Sequence, residues 1–149
     1  EGQMDALKGS SVYHQIKEMH EQEKKHLNFF TEEMKKRKTR PTVMLPLWHI
    51  GGYAMGFVTG LMGEKAAMAC TVAVEEVIGE HYQKQEDELQ HKNDNEEDLI
   101  SAIKEFKEEE LEHKEIGENH DAEGAPFYPL LYSVVKNITK LAVKISEKI

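Results

Sequence analysis

Three Glu-x-x-His patterns stand in the chain: Glu23/His26, Glu88/His91 and Glu110/His113. On a helix, residues three apart lie on one face about a turn from each other, so each pattern aims a carboxylate and an imidazole at one point. Carboxylates are hard anionic donors that bridge two cations, and imidazoles cap each cation while leaving positions open for a small molecule. Two such patterns on facing helices, with one Glu from each of two further helices, make the two-metal carboxylate site of helical bundles. The chain has 23 glutamates and eight histidines, so chance alone supplies roughly one match and a single match carries little. Glu88/His91 lies in the polar stretch "QKQEDELQHKNDNEED" and reads as that chance match. The other two copies stand 87 residues apart, as in a duplicated helical hairpin.

A third carboxylate source is Glu75 or Glu76, inside the otherwise apolar "AMACTVAVEEVIG". A desolvated charge without a partner is costly, so at least one of the two is expected to face a metal or other partners. Periodicity leaves open which one. His81, about two turns further on, is a candidate to orient a ligand by hydrogen bonding, and equally an ordinary helix-end histidine. Glu75 precedes Glu110 by 35 residues. The same interval counted back from Glu23 falls before residue 1, so a sixth ligand is expected upstream of this sequence.

The elements that must position these groups are helices. Glu, Lys, Leu, Ala and Met dominate and only four prolines interrupt the chain. Residues 1–8 read as the tail of a helix. Residues 12–38 carry helical spacing, with Val12, Ile16, Met19, Leu27, Phe30 and Met34 as the inner stripe. An apolar segment follows over 43–62, then a helix from Glu64 that frays near Asn93, Asp94 and Asn95. A charged helix over 96–120 ends at Gly124-Ala125-Pro126, and an amphipathic helix covers 127–148. The reading is all-α, with residues 1–149 as a single domain. A net charge of −9 argues against nucleic acid as a partner. The lone Cys70 excludes an intrachain disulfide and reads as a small buried residue. No Gly-x-Gly-x-x-Gly is present, so no dinucleotide fold is built in.

Lys35, Lys36, Arg37, Lys38 and Arg40 put five basic residues into six positions, just before the uncharged segment 43–62. That segment is long enough to span a bilayer. Pro46, His49 and its glycines make it a weak span, and Trp48 favours an interface. Gly52, Gly56 and Gly60 repeat every four residues, a spacing that permits close helix packing. A basic cluster beside an apolar helix suits an anionic membrane surface; a buried hairpin helix, or a wall for an isoprenoid tail, suits the same residues.

Three segments, "RPTVMLPLWHIGGYAMG", "GEKAAMACTVAVEEVIGEHY" and "EEELEHKEIGENHDAE", resemble the central motifs of the demethoxyubiquinone hydroxylases, and the likeness covers nearly the whole chain. The resemblance implies a ferritin-like four-helix bundle with additional hydrophobic helices and two iron ions. It maps metal ligands onto Glu23, His26, Glu75 (the first of the paired glutamates), Glu110 and His113, and places His81 and Tyr82 near the site and substrate. It further implies a dioxygen-dependent monooxygenase of ubiquinone biosynthesis that hydroxylates the ring of a polyprenyl quinol. NADH or the reduced quinone would be the electron source. The implied setting is peripheral, on the matrix side of the mitochondrial inner membrane, with a lipid-binding coenzyme Q biosynthesis protein as partner and a homo-oligomer allowed. The family's opening motif, a His-Ala-Gly-Glu-like segment with the first ligand, has no counterpart in this sequence, in keeping with the spacing argument. Two rival readings share the residues: a non-catalytic, membrane-bound quinone-holding scaffold, and iron storage, for which the apolar segment has no use.

Overall fold

The computed structural model describes residues 1–91 and 96–149. The fraying expected near Asn93, Asp94 and Asn95 lies outside the described residues. These form α1 (Gly2–Ala6), α2 (Tyr13–Lys36), α3 (Leu45–Leu61), α4 (Glu64–His91), α5 (Glu97–Asn119), a 3-10 turn (Ala122–Gly124) and α6 (Tyr128–Ser146). No strand occurs among the described residues, and the fold is the expected all-α, ferritin-like arrangement.

The centre is α4. Its first half, from Ala66 to Ala73, is buried on every side, as expected of a helix that is apolar all round. Small side chains let neighbours come close. Gly117 of α5 sits where a Cβ would lie 2.7 Å from Val72 Cγ2 and 3.1 Å from the Met68 carbonyl oxygen. On the other flank, Gly56 and Gly60 of α3 pack on α1 around Gln3 and Ala6, whereas Gly52 has open space beside it. The expected glycine stripe is therefore used at two of its three positions. Gly63, at φ +111°, takes the backbone from α3 into α4 through a conformation that other residues rarely adopt.

Two helices carry a strict alternation of three- and four-residue steps. On α5 the buried set is Ile103, Phe106, Glu110, His113 and Gly117. On α2 the buried Ile16, Met19 and His26 fall on the same kind of seam, with Glu23 between them. Each Glu-x-x-His thus stands where a coiled coil would place core hydrocarbon. Leu27, expected on the inner stripe, is 58% exposed. It follows His26 by one residue, a turn of about 100° around the helix, and so leaves the seam. The apolar segment 43–62 becomes the 17-residue α3, and no helix of the described residues is long and apolar enough to cross a membrane.

Glu76 explains how α6 is fixed to α4. Its carboxylate accepts hydrogen bonds from Tyr132 and, at 2.5 Å, from Lys136, while Lys114 of α5 lies 3.4 Å away. The hydrogen bonds from Lys136 and Tyr132 hold its pKa down, to about 2 from an ordinary 4.5. Glu76→Ala is expected to cost about 1.5–3 kcal/mol, the range for hydrogen bonds to a charged group, read as a lowered midpoint in thermal unfolding. Because the folded pKa is depressed, this stabilisation is present above pH 4.5 and fades as pH falls through about 2. An unchanged midpoint at neutral pH would show the cluster to be decorative.

Candidate metal centre

Ligand atoms of Glu23, Glu75, Glu110 and His113 all lie within 4.8 Å of one another. They come from α2, α4 and α5. His26 completes the group. Its Nδ1 is 3.3 Å from Glu110 Oε1 and 3.7 Å from Glu23 Oε2. His113 Nδ1 is 3.4 Å from Glu110 Oε2 and 3.5 Å from Glu23 Oε1. Glu23 and Glu110 each therefore turn one oxygen toward each imidazole. Glu75 is the inward member of the paired glutamates, and Glu76 serves the α6 contact.

The electrostatics are those of carboxylates gathered around two imidazoles. Burial raises the Glu75 carboxyl well above the usual carboxylate range, and the charges of Glu110 and Glu23 push it further. Burial would also raise Glu110, but the facing imidazoles of His113 and His26 and the Glu75 carboxyl outweigh it and hold that carboxyl near 2. Burial opposes charge on both histidines. Glu110, Glu23 and Glu109 overcome this at His26 and lift it to about 10; Glu110 and Glu23 lift His113 to about 9. Three atoms at the centre, His26 Nδ1, His113 Nδ1 and Glu110 Oε2, are buried without a hydrogen-bond partner. Each such orphan costs about 1–3 kcal/mol. A hard cation would satisfy all three, and the oxygen-rich donor set with imidazole suits iron or manganese.

A cavity of about 630 Å³ opens onto this cluster. Glu23, Glu75 and Glu110 line it together with Glu1, His20, Lys24 and His49, and Trp48, Met55, Val74, Ile78 and Tyr82 are among its apolar walls. Tyr82 is buried and stacks on Phe30 at 6.0 Å, so it lies beside both cluster and cavity. His81 does not. Its Nδ1 is 3.6 Å from Glu147, and it lines a second cavity, next to the first, that shares Trp48 and Ile78 with it and runs along α4 and α6. The Glu88/His91 copy is exposed on both residues, as a chance match would be.

Two polar partners escaped the sequence reading. Glu109 Oε2 lies 2.5 Å from His26 Nε2, and Gln22 Oε1 lies 2.8 Å from His113 Nε2. The signal was available: each directly precedes the glutamate of a Glu-x-x-His pattern, and a ligating imidazole wants an acceptor for its second nitrogen.

The sequence profile described as "Ubiquinone biosynthesis protein COQ7" matches residues 1–146. The chain belongs to this family. Among curated COQ7-family relatives, the Bos taurus protein named "NADPH-dependent 3-demethoxyubiquinone 3-hydroxylase, mitochondrial" is 46% identical over 149 residues, covering 99% of this chain and 69% of the relative. A Rhodospirillum rubrum protein named "3-demethoxyubiquinol 3-hydroxylase" is 45% identical over 134 residues, 90% of this chain and 62% of the relative. A Saccharomyces cerevisiae "5-demethoxyubiquinone hydroxylase, mitochondrial" is 38% identical over 146 residues, 90% of this chain and 63% of the relative. The COQ7 match thus runs through all three helices that carry the cluster.

Proposed function

We propose that this chain is a demethoxyubiquinone hydroxylase: a monooxygenase that adds a hydroxyl to the ring of a polyprenyl quinol in ubiquinone biosynthesis. The observation that carries the reading is the cluster of Glu23, Glu75, Glu110 and His113, with Glu110 and His113 fully buried, whose glutamates line a cavity with apolar walls. Family membership supports it, since relatives sharing nearly half of these residues carry that activity in their names. We take residues 1–149 as one domain.

Two iron ions fit the donors, and Glu23, His26, Glu75, Glu110 and His113 would hold them. When bound, such a pair supplies the reduction of dioxygen that oxygenation of the ring requires. One oxygen atom replaces a ring hydrogen as hydroxyl, the other leaves as water, and two electrons come from a reduced donor. Several relatives are named NADPH-dependent, which favours a reduced nicotinamide over the quinone as that donor. The chain's own residues do the rest. The walls formed by Trp48, Met55, Val74, Ile78 and Tyr82 exclude water and hold the ring edge toward Glu23, Glu75 and Glu110. The ionised Glu110 keeps the two imidazoles aimed inward. The test is hydroxylation of a short-tailed demethoxyubiquinol by the iron-loaded protein under labelled dioxygen. Label in the product is expected. A protein that holds two irons yet leaves the ring unlabelled would overturn the reading.

Exposed apolar side chains on α3 (Leu45, Leu47, Ile50, Val58, Leu61) and α6 (Leu130, Val134, Ile138, Leu141) support a peripheral membrane position. The α6 residues fall on one stripe. With relatives named mitochondrial, we place the chain on a mitochondrial membrane, the inner membrane's matrix face being the expected side. The pair Ile138→Glu and Leu141→Glu should cut co-sedimentation with anionic vesicles severalfold while leaving helical content intact. Equal sedimentation would remove α6 from the contact.

A further inference from the structure

The α2 and α5 seams account for the ligands but not for Gln22 and Glu109. Both sit one residue before the glutamate of a Glu-x-x-His pattern, and 22 and 109 are 87 apart, the interval that separates the two copies. Their contacts are crossed. Glu109 of α5 holds His26 of α2, and Gln22 of α2 holds His113 of α5. With Nδ1 of each ring turned to the centre, Nε2–H is left to donate outward, to a carboxylate oxygen at 2.5 Å in one case and an amide oxygen at 2.8 Å in the other. The two copies thus match in geometry and differ in charge.

We infer that Gln22 and Glu109 are positioning residues that fix the two imidazoles as Nδ1 donors, and that their unequal charge makes the two metal positions inequivalent, the His26 position binding more tightly. The inference rests on the two-metal reading above. An anionic acceptor draws the Nε2 proton toward itself and returns electron density to the ring, strengthening Nδ1 as a donor; a neutral amide does so more weakly. Fixing the ring also removes rotational freedom that a free imidazole would lose on binding metal. The crossing makes each helix responsible for the other's histidine, so neither metal position forms unless α2 and α5 are in register.

The experiment has two readouts on the full chain. The first is nitrogen NMR of the histidine rings in the metal-free protein. Glu109→Ala should shift the His26 signals and leave those of His113, and Gln22→Ala should do the reverse. The second is cobalt(II) titration followed by visible absorption. The wild type should fill in two steps. Glu109→Ala should weaken the tighter step roughly 10- to 100-fold, the usual effect of losing a ligand's supporting partner. Glu109→Gln should recover the ring orientation but bring the two steps together, as should Gln22→Glu by strengthening the weaker one. Should an alanine variant lose helical content, the near-isosteric Glu109→Gln and Gln22→Glu carry the test alone. Two wild-type steps that none of these variants moves would overturn the inference while leaving the metal reading standing. A wild type that takes up no cobalt would overturn both.

Discussion

Glu110→Ala is expected to abolish metal uptake and ring hydroxylation together. This carboxylate is 1% exposed, sits on the α5 seam, and faces Nδ1 of both buried histidines with its two oxygens at 3.3 and 3.4 Å, closer than the oxygens of Glu23 do. Deleting it removes the carboxylate that does most to hold both imidazoles charged and aimed inward, and takes a buried anionic donor from the cluster. The loss in iron content and turnover should exceed roughly 100-fold, the upper end for removing a mere supporting partner. Colorimetric iron determination and quinol hydroxylation measure the two effects on one preparation. Glu88→Ala is the matched control. It belongs to the same Glu-x-x-His pattern, lies exposed near the end of α4, and should change neither quantity. If Glu110→Ala keeps full activity, the cluster is not the reaction centre.

Metal affinity should climb steeply with pH. In the metal-free protein at neutral pH the cluster holds protons on His26 and His113, which lose theirs near 10 and 9, and the raised Glu75 carboxyl keeps its proton to higher pH than an ordinary carboxyl. Ligation needs all three in their unprotonated forms, so binding expels protons. Affinity then gains as much as roughly one decade per pH unit for each proton expelled. Titration calorimetry in buffers of different ionisation heat counts these protons, and a count near zero at pH 7 would refute the assignment of charge. The metal-free fold should respond in the opposite direction. A histidine whose folded pKa is raised stabilises fully below its ordinary 6.5, and that contribution is lost as pH rises through 9 to 10. The raised carboxyl of Glu75 works in the same sense, since the folded chain holds a proton there that the unfolded chain has released. The gap between metal-bound and metal-free melting temperatures should therefore widen as pH increases.

Much of this centre was legible from residue types because glutamate and histidine at core spacing have few structural uses. Glu23/His26 and Glu110/His113 converge as their spacing required, and the third copy proved to be surface. The choice between Glu75 and Glu76 was not legible. The first half of α4 is apolar on every side, so its hydrophobicity marks no single face; only the buried Met68, Val72 and Tyr82, in steps compatible with Glu75, reveal the side turned to α5. Leu27 misled because apolar character alone does not say which side of a helix meets a neighbour, and here it borders the cavity. Gln22 and Glu109 went unread because a polar residue beside a ligand looks like any solvated neighbour until a second helix is brought against it. His81 was drawn toward the centre by proximity in sequence, but its side chain turns to α6.

The α2 and α5 seams have a further consequence for how such a protein changes over time. Positions 23, 26, 110 and 113 are where a bundle selected only for cohesion would carry leucine or isoleucine, and hydrocarbon in place of buried ionic groups is often neutral or favourable for folding. Selection for chemistry and selection for durability pull in opposite directions at these four sites. In a lineage released from catalysis, they are where drift toward a tougher, inert bundle would begin.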